Sequence, residues 1–158
     1  EHWILQSLVH LDAMDDQRLA DSKRIDLYES LARVAHERDD PKAELDGLMN
    51  GLSIARKLNS KASIAEFSHG LGALAESAGD FASAERWYRE SLSFYEQLGD
   101  RTNITRGVAL LSALAWQRGD IEQASQYALR GLTLAEPGRD DELIELFGSI
   151  TLPQSTTD

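Results

Sequence analysis

The sequence predicts an all-α protein, a right-handed α-solenoid of antiparallel helix pairs, and three observations predict it. Sliding the 158-residue chain against itself gives matches at a shift of 40 residues, so that Leu31, Leu71 and Leu111 fall in register, as do Ala35, Ala75 and Ala115, and Leu52, Leu92 and Leu132. Within each unit, apolar residues recur three and four apart, the spacing that lines one face of a helix, as in Phe67, Leu71, Leu74 and Ala78 or Tyr88, Leu92 and Tyr95. No window alternates between apolar and polar residues as a half-buried strand does. A unit of this length cannot bury its apolar face alone, so successive units stack into a superhelix.

The elements follow in order from periodicity and punctuation. An entry helix over 2–14 is expected first, and then a helix pair at 22–38 and 41–58. Asp40 and Pro41 set the junction of that pair: the aspartate caps the second helix, and the proline occupies its first turn, where a missing amide hydrogen costs nothing. Ser60 marks the boundary to the pair at 61–78 and 81–98, and Gly99-Asp100 the boundary to the pair at 101–118 and 121–135. Inside these pairs Gly79 and Gly119 supply the left-handed residue that ends a first helix, and Asp80 and Asp120 cap the second. Glu136-Pro137-Gly138 ends the last full helix, a short closing helix covers 140–149, and 151–158 form a polar, disordered tail. The whole reads as one domain over 1–150 with repeats at 22–58, 61–98 and 101–135. Gly47, Gly51, Gly107 and Gly131 fall inside helices, where glycine costs about 1 kcal/mol against alanine and calls for a compensating close approach of two helices.

Composition narrows the function. Hydrophobic residues at 42% and charged residues at 27% are globular proportions, so a folded chain is expected. The absence of cysteine removes thiolate catalysis, disulfides and cysteine-based metal sites, and it suits the cytoplasm. With 27 acidic against 16 basic residues, a net charge of −11 and no basic stripe, nucleic acid and anionic membrane are poor partners. The start Glu1-His2-Trp3 has no basic leader, and the apolar run from Val108 to Trp116 is too short to span a bilayer. A first residue other than methionine, set within a helical pattern, suggests a piece of a larger protein.

The repeated residues resemble the tetratricopeptide repeat family. In the second unit Leu71-Gly72, Ala75, Gly79-Asp80-Phe81, Ala84, Tyr88 and Ser91-Leu92 match the family's pattern. The third unit repeats it with Leu111-Ser112, Ala115, Gly119-Asp120-Ile121, Ala124, Ala128 and Gly131-Leu132. The first keeps Tyr28, Leu31-Ala32 and Ala35 but has Asp39 in place of the glycine and Glu44 in place of the alanine. The 40-residue period and its Leu98-Gly99-Asp100 junction are similar to C-terminal arrays of bacterial ATP-dependent signalling and transcription regulators. Such resemblance is specific for fold and not for function.

What the resemblance implies is a concave groove lined by the first helices and used to bind protein. Its columns here hold Asp26, Glu29, Arg33, His36 and Glu37 in the first unit, and Glu66, His69, Ala73, Glu76 and Ser77 in the second. The third unit offers Arg106, Ala109, Ala113, Trp116 and Gln117. Trp116 would be an aromatic anchor or else packing against the next helix, while Arg33 and Arg106 could grip a carboxylate. The lysines and asparagines by which one subgroup clamps C-terminal carboxylates are missing from these columns, so chaperone-tail binding is not expected.

Other chemistries find little support. Gly70-Leu-Gly-Ala-Leu-Ala75 matches a dinucleotide fingerprint as a string, but it falls in mid-helix with no strand before it. His36 and His69, with Glu37 and Glu66 nearby, match no metal-ligand spacing. No Gly-x-Ser-x-Gly elbow is present, no carboxylate stands out as a raised-pKa acid, and Trp87, Tyr88 and Tyr95 are read as packing between repeats rather than as a base-stacking platform. The expectation is therefore a non-catalytic module, without metal or cofactor, that binds a peptide segment or domain of another protein or of its own parent chain. A peptide- or effector-sensing arm of a regulator is the alternative, and self-association through apolar end faces is a third reading.

Overall fold

The computed structural model describes residues 6–7 and 17–151, and among these it is all-α, with no strand. Seven helices follow one another: α1 (Gln17–Glu37), α2 (Pro41–Lys57), α3 (Lys61–Ser77), α4 (Phe81–Leu98), α5 (Arg101–Gln117), α6 (Ile121–Leu134) and α7 (Asp141–Thr151). The expected entry helix over 2–14 lies outside the described residues except for helical residues 6–7, and so does the expected tail from residue 152 on. Two boundaries differ from expectation. The first helix starts at Gln17 rather than at 22, and its added turn carries buried residues, Ala20 and Asp21. There Asp21 accepts bonds from Arg24 Nη1 and Lys57 Nζ, both at 2.5 Å, so a buried carboxylate ties α1 to the end of α2. The closing helix runs to Thr151, whose hydroxyl donates to the carbonyl of Phe147 at 3.1 Å.

One junction design recurs along the chain. Where each of α1 to α5 ends, a residue with positive φ turns the backbone: Asp39, Asn59, Gly79, Gly99 and Gly119. The amide of the next residue then donates back five positions, Asp40 to Ala35, Ser60 to Ala55, Asp80 to Ala75 and Asp120 to Ala115 at 2.9 Å, and Asp100 to Tyr95 at 3.1 Å. This closes the carbonyls a helix end would otherwise leave unpaired. Four of these following residues are aspartates whose carboxylates accept an amide of the next helix's first turn, from Ala43 and Ser83 at 3.0 Å and from Asn103 and Gln123 at 3.1 Å. Ser60 makes no such bond and instead pairs its hydroxyl with Ser63 at 2.9 Å. At Asp39 and Asn59 the left-handed position is filled without glycine, by the two residue types that tolerate it best.

The chain divides into two compact units, Glu1–Phe94 and Tyr95–Asp158, with the division inside α4. In the first, α2 packs against both α1 and α3. Ile25, Ala32, Leu48, Leu52, Ile64 and Phe67 form its core, and Trp87 and Phe94 of α4 pack against it. Gly51 makes room for this: a Cβ there would lie 2.2 Å from Cζ of Phe67. In the second unit α6 packs against α5 and α7, burying Val108, Leu111, Leu114, Ala124, Ala128 and Phe147. Ser112 is fully buried and donates to the carbonyl of Ala124 at 2.8 Å, which satisfies its hydroxyl across the helix pair.

Candidate functional site

The columns expected to face a groove give helix faces, and two faces of α3 separate here. Residues 66, 70 and 73 stand four and three apart on one face, and 69, 72 and 76 on another. The second face meets α4. Tyr88 lies over Gly72, where a Cβ would be 2.5 Å from its ring, and its hydroxyl donates to Glu76 Oε2 at 2.6 Å. His69 stacks at a tilt of 46° on the same ring, with centroids 5.7 Å apart. Burial and this bond to the Glu76 carboxylate push the Tyr88 phenol well above its usual range. His69 and Glu76, expected to face a ligand, therefore hold α3 to α4. The physical reason is rotational: three residues of helix advance by almost a full turn, so neighbouring columns point to different partners.

The first face opens onto a cleft of about 280 Å³ in the first unit. From α1 it takes Glu29, Arg33 and His36, at i, i+4 and i+7, and from α3 it takes Glu66, Gly70 and Ala73 at the same spacing. Its floor is apolar, built of Ala32, Leu48 and Phe67, each buried. Gly70 allows that floor to form, since a Cβ there would lie 2.7 Å from Cδ2 of Leu48. The glycine of the dinucleotide-like string thus has a packing task in the middle of α3.

Polar side chains ring this floor. Arg33 Nη1 donates to Glu37 at 3.3 Å, and His36 Nδ1 is hydrogen-bonded to Glu44 of α2 at the same distance. Glu37 serves the cleft only through Arg33. Glu29 of α1 and Glu66 of α3 both line the cleft. Burial, and then the charges of Glu66 and Asp26, hold the Glu29 carboxyl above the ordinary carboxylate range.

The residues expected in the third unit behave differently. Arg106 is exposed on α5 and lines a cleft of about 530 Å³ with Thr102 and the first turn of α7. The acids there are engaged in the turn: Asp140 accepts from the amide of Glu136 at 2.8 Å and Asp141 from the amide of Gly138 at 2.7 Å. Ala109, Ala113, Trp116 and Gln117 do not line this cleft. Ala109 is buried, with 5% of its surface exposed, and cannot face a ligand. It lies four residues after Thr105 and three before Ser112, on the stripe that packs inward. Ala113 and Trp116 are half-buried and Gln117 is exposed, as is Ser77 on α3.

Glu44, Leu48 and Phe67 were not among the expected site residues. Columns drawn through first helices cannot find Glu44 and Leu48, because both come from a second helix reaching between two first helices. The available signal was Gly70, a mid-helix glycine whose cost requires a neighbour to enter.

Among the described residues no three histidine, aspartate or glutamate side chains converge as metal ligands, and no helix is long and apolar enough to cross a membrane. No protein-family model matches the chain, and no curated protein matches it. In fold the chain is similar to BtubC (BKLC) from P. vanneervenii, whose crystal structure aligns with a TM-score of 0.77 at 16% sequence identity. The alignment covers 93% of this chain and 62% of that one, so this chain spans less than two thirds of BtubC's length.

Proposed function

We propose that the chain is a non-catalytic interaction module of tetratricopeptide type, whose first helices form a concave groove that binds a peptide segment of another protein or of its own parent chain. The observation that carries this reading is the α1–α3 cleft, where five residues of the family's groove columns, Glu29, Arg33, His36, Glu66 and Ala73, surround one apolar floor. An apolar floor with a few convergent polar groups is the usual build of a recognition site. At about 280 Å³ the cleft falls below the roughly 300–1,000 Å³ of sites for drug-sized ligands, which favours one or two peptide side chains over a small effector. A place in a cytoplasmic signalling or transcription regulator follows from the same resemblance.

A plug of the cleft tests the reading. Ala73 is exposed at its edge, so Ala73→Trp should fill it while the helix is retained. The variant is expected to bind a peptide ligand at least tenfold more weakly than wild type, with Ala82→Trp, exposed on α4, as the control. Equal binding by both variants would move the site elsewhere.

A further inference from the structure

We propose that the α1–α3 cleft takes a cationic side chain of a basic peptide, arginine by preference, with its stem on the floor of Leu48 and Phe67 and its head group between Glu29 and Glu66. This rests on the peptide-groove reading and adds the chemistry of the occupant. Three observations support it.

First, the cleft is small, about 280 Å³, and its floor is apolar, which suits the aliphatic stem of a long cationic residue. Secondly, its own basic side chains already have partners. Arg33 is bonded to Glu37 and His36 to Glu44, whereas Glu29 and Glu66 line the cleft from two different helices. A guanidinium entering between them would make several charge-assisted bonds, and its planar fork can serve two carboxylates at once. Thirdly, the surroundings add negative charge: Asp26 lies within electrostatic reach of Glu29, and the chain as a whole carries −11. Such a field draws a basic segment inward and repels an acidic one.

The difficulty in testing this is that any polycation binds an acidic protein, so the test must separate the cleft from bulk charge. A positional-scanning array of nonapeptides probed with the whole chain, followed by solution binding of the strongest peptide, does so. Enrichment of arginine at one position is expected, with arginine above lysine. Replacing that arginine by citrulline, its neutral isostere, should weaken binding at least tenfold. Glu29→Gln with Glu66→Gln should do the same, while Glu142→Gln with Glu145→Gln, exposed on α7 and equal in charge change, should alter it less than twofold. Circular dichroism of each variant controls for folding. Selection of a neutral or acidic residue, or equal losses in the two double variants, would overturn the proposal. Binding that Ala73→Trp abolishes but Glu29→Gln with Glu66→Gln leaves intact would sink the cationic occupant alone. Binding indifferent to Ala73→Trp would sink the groove reading with it.

Discussion

The two units solve one packing problem with the same residues and reach different results. In the first, Phe67 of α3 seats its ring over Gly51 of α2; in the second, Phe147 of α7 seats its ring over Gly131 of α6. Both phenylalanines are almost fully buried, and a Cβ on either glycine would come within 2.2 Å of the ring tip. The two pairs lie 80 positions apart, two periods of the repeat, so α7 is the start of a further first helix rather than an unrelated closing piece. Yet Leu52 is 1% exposed while Leu132, in the same column, is 37% exposed. Leu52 belongs to a core against which Trp87 and Phe94 of α4 pack, and among the described residues no helix follows α7. A repeated residue thus carries its direction with it but not its burial, which the next helix supplies.

The sharpest way to probe this comparison is to remove the rings. Phe67→Ala should cost about 3–5 kcal/mol in denaturant unfolding, as expected of a buried phenylalanine. Phe147→Ala removes the same contact from a helix of only 11 residues with fewer neighbours. Its effect should be local, with hydrogen exchange accelerating over α7 while α1–α3 keep their protection. Loss of protection throughout the chain in both variants would break the comparison.

A smaller contrast is expected at the leucine column. Leu52→Ala should destabilise by about 2–5 kcal/mol, whereas Leu132→Ala should stay under about 1 kcal/mol, because most of the cost of such a truncation comes from burial. Similar losses from both would mean that Leu132 is covered in solution, as self-association would cover it.

The smallest effects concern pH, and they differ in sign between two carboxyls. Glu29 has a raised pKa, so the folded first unit binds a proton more tightly than the unfolded chain does. Its stability therefore falls as pH rises from the ordinary carboxylate range through the raised value, because the charged form meets burial first and the charges of Glu66 and Asp26 second. Glu29→Gln should raise the melting temperature at pH 7, with the gain closing below about pH 4. Asp140 in the second unit has a lowered pKa, chiefly because its carboxylate accepts the Glu136 amide. Its contribution is present above the ordinary carboxylate range and lost as pH falls through the lowered value, so Asp140→Asn should destabilise at pH 7 and converge with wild type in acid. Parallel pH profiles for the two variants would contradict this assignment of causes.

Much of the fold was legible because its signals are local. The glycine or asparagine-type turn, the capping aspartate after it and the helical spacing of leucines all act within a few residues, and Asp40, Asp80, Asp100 and Asp120 make the bonds their positions call for. The candidate site was legible by half. Glu29, Arg33, His36, Glu66 and Ala73 meet in one cleft, but His69 and Glu76 went to Tyr88, and Ala109 went inward. A shift of one position on a helix turns a side chain by about 100°, and a column alignment does not register which neighbour waits there.

The sequence by itself determined the helices, their junctions and the repeat that points the same residues the same way, since these depend on backbone geometry and on side chains acting on their own turn of chain. Only the tertiary structure decided that Gly70 admits Leu48 to the floor of a cleft, that Glu29 and Glu66 line that cleft together, and that Leu132 stays exposed where Leu52 is covered. Each of these depends on which helix lies next and how closely it approaches, a distance set by packing between residues far apart in the chain.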